Sequence, residues 1–310
     1  MTKSRLFPSL FVVALSMLVA TPSMSRMQTS LSEFAAGTPL SFDTPQSALD
    51  RLKAVLFDND VDGLANLLGL SAAKLRDSTE AMVSYALIRQ GVEQRLGLQD
   101  LGKRKVVLIG DRLWPLPFPL SQGGDGKWTF DTQVGLEEIV NRRVGENELA
   151  TIQTMHDYVM AQYMYAQVDR DRDGVYGFAQ KLVSSPGKQD GLYWPPGVFD
   201  EPSPASHLVQ TAAFGEARRG DGYYGYRYRI LTGQGDNVVG GRESYIMNGN
   251  MTRGFALIAW PVQYRTTGVQ TFMVSAAGVI YQKDLGPQTE EHALSVKTFN
   301  PDQSWTMLYH

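Results

Sequence analysis

Asp169, Asp171, Asp173 and Gly174 stand in the order D-x-D-x-D-G within V-D-R-D-R-D-G-V-Y-G-F-A. Alternating carboxylates ahead of a glycine can wrap a hard cation such as Ca²⁺, because the glycine lets the chain turn back on itself. An EF-hand loop also carries a glutamate at its twelfth position, where this chain has Gln180, and Arg170 and Arg172 sit between the acids. The other reading is a solvated turn whose aspartates accept nearby backbone N–H groups. A second set is Lys188, Asp190, Tyr193 and Trp194 in S-P-G-K-Q-D-G-L-Y-W, a candidate ligand- or partner-binding surface on a long loop. Its alternative is a folded-back Ω-loop. A third set is Arg142, Arg143 and Glu148, which could bind an anion or a partner or form a local ion-pair cluster.

Other chemistries find little support. The chain has no cysteine, which removes thiol nucleophiles, thiolate metal sites and disulfides. Its four histidines, at positions 156, 207, 292 and 310, show no metal-ligand spacing. Ser206 beside His207 is not a triad, and no G-x-S-x-G elbow is present. Carboxylates are plentiful, among them Glu137, Glu138, Asp157 and Asp190, so a hydrolase built on a pair near residues 185–196 stays open as the alternative to a binding module.

The elements that must position these residues follow from periodicity. Leu149, Ile152, Met155, Val159, Gln162 and Ala166 recur at helical spacing and predict a long helix. Gly145 predicts a break, with that helix starting near Glu146–Asn147. Ahead of it, Thr44-Pro45 predicts a capped helix start with Ala48, Leu49, Leu52 and Val55 on its apolar face. Further helices are expected at Val61–Leu68 and Glu80–Leu96, and strands at Lys105–Ile109 and Lys127–Asp131. Trp114–Leu120, W-P-L-P-F-P-L, must be extended; it covers a core or offers a partner-binding surface. All three Trp-Pro bonds are expected trans. After the loop a short helix is expected near Leu208–Phe214. Strands then follow at Tyr224–Leu231, Gly254–Pro261, Val269–Ser275 and Val279–Lys283, with a last one within Thr298–Leu308. Tyr226, Tyr228 and Ile230 alternate with Arg227 and Arg229, so the sheet should carry one apolar face for the long helix to cover.

The chain begins M-T-K-S-R followed by a short apolar run to Ala20 and the small-residue sequence Ser23-Met24-Ser25. This predicts a signal peptide over residues 1–25, a flexible leader over 26–40 and a periplasmic or secreted protein. Its removal would take two of the 29 basic residues and none of the 32 acidic ones, leaving 27 against 32 and a net charge of −5. That balance argues against a nucleic-acid partner, and no later stretch is long and apolar enough to span a membrane. The fold class expected is α+β: a small helix-plus-strand domain over 41–135, then a second domain over 136–310 with one long helix on an antiparallel sheet.

The phrases Trp114–Pro119, Arg142–Glu148, Ser185–Trp194 and Gly254–Pro261 resemble a bacterial exported family catalogued as domain of unknown function 2950. The resemblance covers nearly all of the chain after the signal and carries no activity from which catalytic residues could be transferred. A second, looser resemblance links residues 136–286 to pilin-like and pseudopilin-like domains, which also lay a long helix on an antiparallel sheet. Pilins keep an apolar membrane stem where this chain has Glu137, Glu138, Arg142, Arg143 and Glu148, so this resemblance implies a shared fold and not filament assembly. The function expected is an exported non-catalytic binding or assembly module, with an envelope protein or a glycan as partner and no obligatory cofactor beyond the Ca²⁺ option.

Overall fold

The computed structural model describes residues 31–308 apart from Asp171, His207 and Leu208. The signal-peptide reading, the first part of the leader and the central aspartate of the acidic motif lie outside the described residues. The chain is α+β and divides into two units within its long helix, at Arg143/Val144.

The first unit opens with a 3-10 turn, Leu31–Phe34, whose Leu31 and Phe34 are buried in its core. The leader expected over 26–40 is therefore tied down from Leu31 onward: two apolar residues three apart bury together, and Ser71 N–H donates to the Phe34 carbonyl (2.8 Å). Four helices follow, α1 (Pro45–Phe57), α2 (Val61–Leu68), α3 (Ala72–Asp77) and α4 (Thr79–Gln94). Thr44 and Ser47 form a reciprocal capping box at α1, and Ala48, Leu49, Leu52 and Val55 are buried as the periodicity predicts. The strands are β1 (Ser41–Phe42), β2 (Leu96–Asp100), β3 (Arg104–Ile109), β4 (Trp114–Pro115), β5 (Leu120–Gln122) and β6 (Trp128–Phe130). They form an antiparallel sheet in the order β1-β6-β5-β3-β2, with β4 also on β3. Trp114, Leu116, Phe118 and Leu120 all point into the core, so the proline-aromatic segment covers a core and is not an open partner surface. The three Trp-Pro bonds are trans.

The long helix, α5, runs from Thr132 to Tyr165 without interruption. The break expected at Gly145 is not there. A Cβ at that position would meet nothing within 4 Å, so the glycine answers to no close contact. Gly145→Ala should stabilise the protein by about 1 kcal/mol, the ordinary helix-propensity gain, read as a rise in the urea midpoint; an unchanged or lower midpoint would contradict a regular helix at this residue.

In the second unit the expected stripe on α5 holds at Ile152, Met155, Val159 and Gln162, which are buried or packed against the core, and is corrected at Leu149. Leu149 is 69% exposed, whereas Thr151, Met155, Tyr158 and Gln162 are buried. The buried face mixes polar and apolar residues because the elements it meets offer hydrogen-bond partners. The sheet consists of β7 (Tyr226–Leu231), β8 (Ala256–Pro261), β9 (Gln270–Ser275), β10 (Ile280–Asp284) and β11 (Thr306–Leu308), all antiparallel in the order β11-β10-β9-β8-β7. Gly278, at φ 77°, closes the β9–β10 hairpin as expected. The short helix α6 lies at Thr211–Arg219, and α7 at Thr289–Ser295. All six residues of β8 are buried. The face opposite α5 is covered through α7, where Arg229 donates to the carbonyls of Ala293 and Val296 and Arg227 pairs with Glu290. The expectation of a single apolar face is corrected: the second face is covered as well, because the alternating arginines of β7 bond α7 and the residue after it.

Candidate functional site

The residues singled out by sequence divide among several places. Arg142 donates to Glu138 (2.7 Å) and to the Pro115 carbonyl (3.0 Å), with its guanidinium 5.2 Å from the Trp114 ring centre, all inside the first unit. Arg143 is half-buried beside it on α5. Glu148 belongs to the second unit, where its Oε1 accepts the backbone N–H groups of Val269 (2.8 Å) and Gln270 (2.9 Å) at the start of β9. Arg142 and Glu148 are thus each engaged in holding structure within their own unit.

The acidic loop behaves as a turn in the residues described. Asp169 Oδ2 accepts Gly174 N–H (2.9 Å), and Asp173 accepts Val175 N–H (2.7 Å) and the Asn250 amide. Gln180 turns away to the Gly249 carbonyl (2.8 Å). Among the described residues no three His, Cys, Asp or Glu side chains come together as a metal site.

The segment after it folds back on itself. Leu192 and Tyr193 N–H groups donate to the carbonyls of Lys181 and Leu182, and Ser184 N–H donates to Tyr193 (2.8 Å). Asp190 ties the turn: it accepts Ser185 N–H (2.7 Å), Ser185 Oγ (3.0 Å) and Lys181 Nζ (2.7 Å). Burial pushes its carboxyl up, but these donors outweigh that and hold it down at about 2. Asp190 also lines a small polar cavity of about 260 Å³ with Arg170 and Lys181. Lys188 is exposed at the turn. Trp194 is buried, its indole N–H donating to the Glu201 carbonyl (3.1 Å) and its ring packed on Phe199 and Arg170.

Tyr193 alone of these residues faces the large cavity of the second unit. That cavity, about 520 Å³, lies among α5, the folded-back loop, α6 and β7. Thr154, Asp157, Tyr158 and Ala161 line it from α5, Phe214 and Ala217 from α6, and Tyr223, Tyr226 and Tyr228 from β7 and the turn before it. The Tyr193 and Phe214 rings meet at 4.9 Å. Its geometry depends on the glycine-tyrosine run Gly220–Tyr228. Gly222 has φ 82°, and a Cβ there would fall 2.7–2.8 Å from the backbone of Tyr226. Tyr224 itself takes φ 52°, a conformation that costs a bulky residue on the order of 1 kcal/mol or more. The turn is closed by paired bonds, Tyr223 N–H to Tyr226 O (2.8 Å) and Tyr226 N–H to Tyr223 O (3.2 Å).

The phenols are positioned as neutral groups. Burial pushes the Tyr158, Tyr226 and Tyr228 hydroxyls far above the usual phenol range, and burial with the neighbouring Tyr223 raises Tyr224 to about 12. The Tyr228 hydroxyl hydrogen-bonds Thr151 Oγ1 (3.2 Å) and the Tyr223 carbonyl (3.3 Å). The Tyr158 hydroxyl donates to the Ala256 carbonyl (3.2 Å) and accepts Gln162 Nε2 (3.1 Å). Among the described residues the lining holds no serine, cysteine, lysine or histidine; Asp157 is its one carboxylate, and Arg227 and Arg229 are its cationic side chains. Such a lining suits binding: apolar walls with a few fixed polar groups. Sequence reasoning reached Tyr193 and missed Tyr223, Tyr228 and Phe214. The signal that could have found them is the density of glycine and tyrosine over residues 220–228, in which Gly222 and Gly225 take the positive φ of the turn that gathers the rings.

Among the described residues no helix is long and apolar enough to cross a membrane. Neither the curated proteins nor the solved structures include a match to the chain. Residues 40–308 match the family described as "Protein of unknown function (DUF2950)", and the chain belongs to that family.

Proposed function

We propose that this protein is an exported, non-catalytic binding module, and that its ligand site is the aromatic cavity between α5 and β7. One observation carries the reading: a cavity of about 520 Å³ lined mainly by neutral tyrosines and apolar side chains, with Thr154, Asp157, Arg227 and Arg229 as its other polar groups. Its volume falls in the range of about 300–1,000 Å³ typical of ligand sites. The basic and apolar N-terminal sequence supports export, and the long helix laid on an antiparallel sheet supports a pilin-like second unit adapted to binding rather than assembly. The hydrolase alternative needs a pair of free carboxylates near the 185–196 loop, whereas the cavity lining holds one, Asp157, and Asp190 is occupied by Ser185 and Lys181.

The test is occupancy of the cavity. The apolar dye 8-anilinonaphthalene-1-sulfonate should bind the full chain with one-to-one stoichiometry, followed by fluorescence. Ala217→Trp, which places an indole in the cavity, should weaken that binding at least tenfold with the melting temperature preserved. Val239→Trp, at a 98% exposed position, should leave it unchanged. Equal dye affinity in the Ala217 variant and the wild type would overturn the assignment.

A further inference from the structure

Resting on that cavity as the binding site, we infer that its occupant is a short extended peptide that pairs with the free edge of β7. The strand is the last in its sheet, with β8 on one side only. The bond from Val262 N–H to Gly225 O (2.9 Å) sets the phase of the ladder. With Arg227 opposite Trp260 and Arg229 opposite Ile258, the backbone groups of Gly225, Arg227, Arg229 and Leu231 turn toward β8. Those of Tyr226, Tyr228 and Ile230 turn outward. Tyr226 spends both of its groups on Tyr223. Among the described residues nothing pairs with the outward N–H and C=O of Tyr228 and Ile230.

Two donor–acceptor pairs spaced two residues apart, about 6.6 Å along the strand, are the template for another strand. Tyr228 lines the cavity, so a strand added there would send alternate side chains toward Tyr193, Phe214 and Tyr158. Arg227 and Arg229 also line the cavity, but their guanidinium groups are engaged, Arg227 by Glu290 and Arg229 by the carbonyls of Ala293 and Val296. Asp157 has no cationic partner among the described residues, and its carboxylate accepts the Gln153 amide (2.9 Å). The fit is therefore to a peptide of about four residues in contact, with apolar or aromatic side chains at alternate positions and a basic residue beside them. Main-chain pairing would supply affinity and the aromatic walls selectivity.

The probe is a pool of end-capped hexapeptides carrying phenylalanine or leucine at alternate positions and one lysine, titrated by calorimetry into the full chain. Binding is expected, and should weaken at least tenfold when the amides of alternate residues are N-methylated, which removes donors and leaves side chains intact. Ile230→Pro deletes one outward N–H at an edge position, where proline is tolerated; it should weaken the peptide at least tenfold and leave the dye unaffected. Replacing the lysine by glutamate should also weaken binding. Equal affinity for the N-methylated pool would overturn strand pairing, and this arm needs no protein variant. Dye binding that responds to Ala217→Trp, with no peptide binding or with binding of a chito-oligosaccharide instead, would overturn the peptide while the cavity remains a ligand site. Failure of dye, peptide and oligosaccharide alike would overturn both.

Discussion

Gln162→Ala is expected to lower the unfolding free energy by about 3–4 kcal/mol. The side chain is fully buried, and every polar atom in it is used. Oε1 accepts Ala179 N–H (2.8 Å), and Nε2 donates to Ala179 O (2.9 Å) and to the Tyr158 hydroxyl (3.1 Å). Truncation removes the apolar stem, leaves a void, and strands a buried backbone donor and acceptor together; each of these effects is worth on the order of 1–3 kcal/mol. Gln162→Met separates them. It restores most of the volume, so a loss of about 2 kcal/mol in that variant would measure the stranded Ala179 groups alone. Gln162→Glu keeps the acceptor but sets a carboxylate against the Ala179 carbonyl, and should be no better than alanine. Urea unfolding with a common slope is the measurement. A loss under about 1 kcal/mol in Gln162→Ala would show that the loop after α5 is not anchored there.

The same residue shows what a sequence can and cannot disclose. Gln162 was placed on the packed stripe of α5 by spacing, with Met155, and both are buried. Leu149 falls on the same stripe by spacing and is exposed, while Thr151, off that stripe, is fully buried. Apolarity identifies a buried face only where the opposing surface is itself apolar. Here β7 presents the Tyr228 hydroxyl and the folded-back loop presents the Ala179 backbone, so polar residues of the helix are drawn inward. Local signals fared better: the Thr44 cap, the Gly278 hairpin and the extended, core-covering course of Trp114–Leu120 depend on neighbours in sequence and are legible. The partners of Arg227 and Arg229 are some 60 residues away on α7, and no periodicity within β7 reveals them.

The candidate site divides along the same line. Tyr193 was identifiable from a long loop rich in turn formers, but the walls facing it come from α5, α6 and the turn before β7. A cavity of this kind is a property of how separate segments converge. What the chain does record locally is the means of convergence: Gly222 and Gly225 take positive φ on either side of Tyr223 and Tyr224 and fold the tyrosines toward one place. The strain held at Tyr224 fits a site whose shape is imposed by the surrounding structure rather than chosen by the residue itself.

Glu148→Ala is expected to cost about 2–3 kcal/mol, which distinguishes a structural strap from a surface charge. In the anion- or partner-binding reading, Glu148 would contribute little to folding, since exposed charges are worth about 0–1 kcal/mol. In the structure its Oε1 instead gathers the N–H groups of Val269 and Gln270 as β9 begins, with the Tyr226 hydroxyl at 3.5 Å and donating to the Gln270 carbonyl at 2.9 Å. Both N–H groups lose their acceptor in the alanine variant, next to a tyrosine ring that is fully buried. Glu148→Gln keeps a carbonyl oxygen in the same place and weakens each bond without abolishing it, so its cost should be about half or less. Tyr226→Phe should add little to Glu148→Ala, because the two variants disturb one network and their effects are not additive. Urea unfolding of the two single variants and the double variant settles the matter. Full additivity would separate Tyr226 from the strap, and a cost for Glu148→Ala under about 1 kcal/mol would return Glu148 to the surface charges.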